Sequence, residues 1–226
     1  MPLCELGAIF VSWCFTLASL TNVDELMEST IDLLLTGFGP FRDIAINPSQ
    51  LMAERLDGAR IGAVRITSLI LPVVFGQDRD LIGAAIGRHR PAIVLSLGVA
   101  AREPGLRWES MGRNRRQSEE GFRPILADGP DAYSSTIPHG PILAAVEAAD
   151  VAIRLSDDAG TYLCNHLLYT TLHLASHGTH RFRAAFLHIP RATEHARPDE
   201  SSMPLDTIER GIRAAIQGLQ LSHRTA

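Results

Sequence analysis

The chain has 226 residues, 46% of them hydrophobic and 20% charged, a composition ordinary for a globular protein. That length suits one large α/β domain or two small ones. Burying roughly 70% of the unfolded surface makes disulfides or a structural metal unnecessary for folding. A formal net charge of −4 supplies no basic field for nucleic acid or anionic lipid, so neither is expected as a partner.

Residues 1–30 are expected to form an extension ahead of the folded domain. Residues 8–20, AIFVSWCFTLASL, make a 13-residue apolar run, short for a bilayer span. The residues before it carry Glu5 and no Lys or Arg, the wrong charge for a signal peptide. A true start at Met27, with residues 1–26 outside the native protein, is the expected reading, and no membrane anchor is expected. Of three cysteines, Cys4 and Cys14 lie in this extension and Cys164 alone lies beyond it. A single cysteine excludes an intrachain disulfide framework and favours a reducing, cytoplasmic setting.

From Ile31 to residue 222 short apolar runs alternate with helical patterns, without repeat or linker, so one domain is expected. IDLLLT (31–36) reads as a buried strand ending at the turn GFGPF (37–41). Asn47-Pro48 supplies an N-cap and a first-turn proline for the helix SQLMAERL. RITSLILPV (65–73) reads as a strand, 77–88 as a helix, and AIVLSLG (92–98) as a nearly all-apolar strand. Residues 99–138, rich in Gly, Arg, Pro and acidic side chains, read as irregular. There follow a helix over 139–150, the strand VAIRLS (151–156) and a long helix within 159–177. The strand FRAAFLHIP (182–190) and an amphipathic helix over 204–220 complete the series.

Such alternation predicts a three-layer α/β/α domain with a mixed, mostly parallel sheet. Ligands in such sheets sit at the carboxyl ends of strands. The segments GFGPF, GVAAR (98–102), SDDAGTYLC (156–164) and HIP (188–190) are therefore expected to converge.

Cys164 stands near the start of a helix, where unpaired N–H groups and the dipole favour a thiolate. A small buried hydrophobe is the other common fate of a free cysteine. His188 closes a core strand, where a base could meet that sulfur. A carboxylate is wanted to hold the imidazole in one tautomer, and Glu103, Glu109, Glu119 and Glu120 all compete for that place. Phe38 and Phe41 flank Gly39-Pro40 and could sandwich a flat, uncharged ring or cap the core. Tyr162 and Tyr169 read as packing residues. His173, His177 and His180 have helical spacing but no carboxylate or cysteine at ligand spacing, so no metal is expected. Arg113, Arg115 and Arg116 read with Glu119 and Glu120 as a solvated charged loop.

Taken together, these segments resemble the pyroglutamyl peptidase, or pyrrolidone-carboxylate peptidase, family of cysteine peptidases, over about residues 31–220. LLLTGFGPF followed by Asn47-Pro48-Ser49 looks like its opening signature. SDDAGTYLCNHLLY is similar to its nucleophile segment and FLHIP to its histidine segment. The resemblance implies an α/β/α fold, no cofactor, and release of an N-terminal pyroglutamyl residue from peptides with a blocked N-terminus. It further implies a cytoplasmic homo-oligomer, commonly a tetramer. By position it makes Cys164 the nucleophile, His188 the base and Glu109, eleven residues after Gly98, the third member. It places Phe38, Phe41, Asn47 and Val99 at the substrate. The family usually has Gln where Val99 stands and Arg where Ser110 stands, and its loop between Asn114 and Gly121 is longer. Those departures leave two alternatives: a related cysteine amidase or peptidase of other specificity, and a non-catalytic binding protein on the same fold.

Overall fold

A computed structural model describes residues 30–224. Apart from Thr30, the expected extension, its start at Met27 and its two cysteines lie outside the described residues. The chain begins with β1 (Ile31–Phe38), α1 (Pro48–Leu56), β2 (Arg60–Ile61), β3 (Val64–Leu71), α2 (Gln77–His89) and β4 (Ile93–Val99). Five short strands follow: β5 (Leu106–Glu109), β6 (Met111–Arg113), β7 (Arg116–Ser118), β8 (Gly121–Arg123) and β9 (Ala132–Ser134). The remainder is α3 (His139–Ala148), β10 (Ile153–Ser156), α4 (Leu163–His177), β11 (Arg183–Ile189), β12 (Arg191–Ala192), β13 (Ser202–Met203) and α5 (Leu205–Arg224).

Seven strands form the main sheet in the order β10-β5-β11-β4-β1-β3-β2. β1 is parallel to β3 and β4, β4 to β11, and β5 to β10. β5 meets β11 in antiparallel fashion, as β2 meets β3, so the sheet is mixed and mostly parallel. Among the described residues no helix is long and apolar enough to cross a membrane.

Side chains alternate between the faces of a strand, and here the two sets join different cores. Ile93, Leu95 and Leu97 of β4, and Ala185, Leu187 and Ile189 of β11, pack beneath α1, α3 and α5. Val94, Ala184 and Phe186 pack beneath α2 and α4. The same parity turns Gly98 and His188 toward α4. In β5, Leu106 and Trp108 belong to the first core, so Arg107 and Glu109 also face α4. One period-2 rule thus gathers every polar group of interest on one face of the sheet.

The expected irregular stretch is where the sequence reading fails most. Residues 99–138 contain β5 to β9, and β5 is an interior strand of the main sheet. β5 is only four residues long and half charged, so burial of its polar face against α4 left no apolar run to detect. Two boundaries also move. Asp150 adopts φ 55° and β10 starts at Ile153; Gly160 adopts φ 84° and α4 starts only at Leu163.

Candidate active site

Gly160 takes a left-handed conformation that other residues rarely hold, and its N–H donates to Asp158 Oδ1 at 3.0 Å. That turn launches α4 with Tyr162 as an extended N-cap and Cys164 as the second helical residue. The amides of Leu163, Cys164 and Asn165 precede the first helical acceptor and have no carbonyl partner within the helix. Asn165, fully buried, bolts this turn in place. Its Oδ1 accepts the Arg113 N–H at 2.9 Å, and its amide donates to the Arg113 and Arg115 carbonyls at 2.8 Å each.

The sulfur of Cys164 lies against bare backbone of β4. A Cβ on Gly98 would stand 2.9 Å from Sγ and 2.7 Å from Phe186 Cζ, closer than real contacts allow. Gly98 is also the register partner of His188 across β4 and β11. The Cys164 thiol is free and half-buried, and it lines the same cleft as His188, whose pKa it influences.

Behind His188 sits Glu109, with none of its surface exposed. It opposes Phe186 in the antiparallel register, so it is the diagonal, same-face neighbour of His188. Its Oε1 is 2.7 Å from His188 Nδ1, which leaves Nε2 for the thiol. Burial is the largest single influence on the His188 pKa and acts to lower it. Cys164, followed by Glu109, acts the other way, and together they push it up to about 9.

Of the four glutamates weighed, Glu109 is the one whose carboxylate reaches His188. Glu103 instead binds Arg154 and Arg107, and the Arg154 hydrogen bond, first among several causes, holds its carboxyl below the usual range. Glu119 and Glu120 are exposed, and Glu120 pairs with Arg123. Arg107 is the residue sequence reasoning missed. Its Nε lies 2.6 Å from Glu109 Oε1 and its Nη2 3.2 Å from His188 Nδ1.

A cleft of about 410 Å³ opens over the thiol, and Phe38, Phe41, Asn47, Val99, Cys164 and His188 all line it. Glu109 is screened from it by His188. Phe41 stacks on Tyr162 with centroids 5.2 Å apart, so Tyr162, expected only to pack, is a wall of the cleft as well. Phe38 is buried in the core beneath α2 and α4 and reaches the cleft with one edge of its surface. Asn47 caps α1 as expected, its Oδ1 accepting from Ser49 N–H at 3.0 Å and from the Ser49 hydroxyl at 2.8 Å. Its amide donates to the Gly39 carbonyl at 2.8 Å, which ties the 37–41 turn to α1.

His173, His177 and His180 do not converge. His173 bonds the Tyr133 hydroxyl and stacks on His177, while His180 bonds the Pro91 carbonyl. Among the described residues no cluster of His, Cys, Asp or Glu could hold a metal ion. Tyr169 is buried with its hydroxyl on the Pro130 carbonyl, a packing role as expected.

The sequence profile of a family described as pyroglutamyl peptidase matches residues 31–221. The chain is 38% identical over 195 residues to the pyrrolidone-carboxylate peptidase of Cupriavidus taiwanensis, covering 81% of this chain and 90% of that one. It is 37% identical over 194 residues to that of Streptococcus pyogenes, with the same shares covered. Among solved structures, pyroglutamyl peptidase I from Bacillus amyloliquefaciens is similar with a TM-score of 0.81 and 29% identity, over 85% of this chain and 96% of that chain. A mutant pyrrolidone carboxyl peptidase from Pyrococcus furiosus gives 0.80 and 27%, over 86% and 100%.

Proposed function

The chain belongs to the pyroglutamyl peptidase family, and we propose that Cys164, His188 and Glu109 carry out its release of an N-terminal pyroglutamyl residue from peptides. The observation that carries this reading is a buried carboxylate bonded to an imidazole, with that imidazole and a free thiol lining one cleft.

In the reaction so proposed, the Cys164 thiolate attacks the carbonyl carbon that joins the lactam ring to the next residue. A C–S bond forms and the oxyanion faces the unpaired amides at the start of α4. His188 gives its Nε2 proton to the leaving amine as the C–N bond breaks, and the shortened peptide departs. Water then attacks the thioester, His188 accepts its proton, and pyroglutamate leaves with the thiolate restored. Glu109 keeps a proton on Nδ1 throughout, so that Nε2 faces the reaction. A pyroglutamyl ring is small, flat and uncharged, and the walls offered by Phe38, Phe41 and Val99 match that chemistry.

The test is hydrolysis of a pyroglutamyl-coumarin amide. Cys164→Ala is expected to remove orders of magnitude of kcat/KM, and near-normal turnover in that variant refutes the assignment. Val99 in the cleft wall supports a second reading, a shifted ring preference. A prolyl-coumarin amide cleaved faster than the pyroglutamyl one would favour it. The proposal further places the enzyme in the cytoplasm as a homo-oligomer, tetrameric in form, which light scattering of the purified chain tests.

A further inference from the structure

Arg107 stands directly opposite His188 in the antiparallel register of β5 and β11. Its Nε–H donates to Glu109 Oε1, the same oxygen that faces His188 Nδ1. Its Nη2 lies 3.2 Å from that Nδ1. One ring nitrogen cannot donate to a carboxylate and accept from a guanidinium at once. Without a proton on Nδ1, two lone pairs would oppose each other at 2.7 Å. The proton therefore sits on Nδ1 and points to Glu109, and the Arg107 approach is a positive charge held beside the ring. The other oxygen of Glu109 has no partner among the described residues, so Arg107 and His188 draw on one oxygen.

The charged groups around His188 alternate in sign from the surface inward. Arg154 of β10 binds Glu103 at 2.6 Å, Glu103 binds Arg107 at 3.0 Å, and Arg107 and His188 share Glu109. Cys164 of α4 also acts on the ring, and β4 sets Gly98 in register with His188.

We propose that Arg107 is a positioning residue of the peptidase reaction, clamping Glu109 and offsetting part of its charge so as to set the pH at which His188 releases its proton. The proposal rests on His188 being the acid of the reaction. A general acid works best when its pKa lies near the working pH. An imidazolium faced by an undiluted buried carboxylate would hold its proton too tightly. Arg107 counters that pull, and Glu103 in turn tempers Arg107.

Two substitutions move the balance in opposite directions. Arg107→Met removes a positive charge, so the alkaline limb of kcat/KM against pH rises, by roughly one unit for a charge this close. Glu103→Gln removes a negative charge behind Arg107, so the limb falls. Arg107→Lys keeps the charge without the fork, so the limb stays while kcat drops. The three profiles are measured beside the wild type on the pyroglutamyl-coumarin substrate, with Cys164→Ala as the blank. A wild type that leaves this substrate intact overturns the proposed function itself. A wild type that cleaves it, together with an unmoved or lowered limb in Arg107→Met, overturns the role of Arg107 alone. Should Arg107→Met fail to fold, Glu103→Gln decides, and an unmoved or raised limb there refutes the proposal.

Discussion

Gly98→Ala is the smallest change that should disable the site. The new Cβ would lie 2.9 Å from Cys164 Sγ and 2.7 Å from Phe186 Cζ. Comfortable non-bonded contacts begin at about 3.5–4.0 Å, so each neighbour must retreat by about 1 Å. Phe186 is fully buried beneath α2 and α4 and has little room to do so. Overpacking of this kind costs about 1–3 kcal/mol of stability. A nucleophile displaced by about 1 Å loses on the order of 100-fold in rate. The expected result is therefore a folded protein with a lower urea midpoint and kcat/KM on the pyroglutamyl substrate reduced about 100-fold. Assays well below the unfolding transition, with near-UV circular dichroism as the check on folding, separate the two effects. Wild-type kcat/KM in a folded Gly98→Ala protein would show that the sulfur does not rest against β4.

The remaining predictions concern protons and packing. With His188 pushed up to about 9, turnover should fall as pH rises through about 9. Glu109→Gln removes one of the groups that raise that pKa, so its alkaline limb should lie at lower pH in the same assay. The folded value also exceeds the unfolded reference of about 6.5, so this pair's contribution to stability is full below about 6.5 and lost as pH rises through about 9. Urea midpoints should decline over that window in the wild type and decline less in His188→Gln. Asp78 and His166 form a second buried pair, 2.6 Å apart, that fastens α2 to the first turns of α4. Asp78→Ala should cost about 1–3 kcal/mol by chemical denaturation, and an unchanged midpoint would show the pair to be dispensable. Asn47→Ala should cost roughly 0.5–2 kcal/mol as a lost helix cap and, by freeing the 37–41 turn, raise KM more than it lowers kcat.

Much of this was legible because the strands carrying the site are apolar runs that end at the reacting residue. LLLTGF, IVLSLG and FLHI each announce a buried parallel strand, and the rule that ligands gather at strand ends places Phe38, Val99 and His188 together. Glu109 was not legible in that way. Its strand holds Arg and Glu in alternation with Leu106 and Trp108, and half of it is polar because that half faces Cys164 and His188 across the site. The signal existed as a two-residue period: with Trp108 inward, Arg107 and Glu109 share the opposite face. Read so, it would have separated Glu109 from Glu103, which sits in the turn before β5, and brought Arg107 into view. The Asp78–His166 pair spans 88 residues of sequence and left no local trace.

The direction of β5 explains why the carboxylate is dry. A strand parallel to β11 would bring its last residue level with His188, at the mouth of the cleft. Running the other way, β5 sets its last residue, Glu109, opposite Phe186, two residues deeper than His188, and sets Arg107 opposite His188 at the cleft edge. Exposure follows that order, with Glu109 at 0%, His188 at 3% and Cys164 half-buried. A hydrogen bond at that depth is little weakened by water, so Glu109 can fix the ring and sustain a charged imidazole that burial alone would neutralise. The same depth makes an unopposed carboxylate costly, and within β5 the opposing charge comes from Arg107, the strand's one other residue on that face.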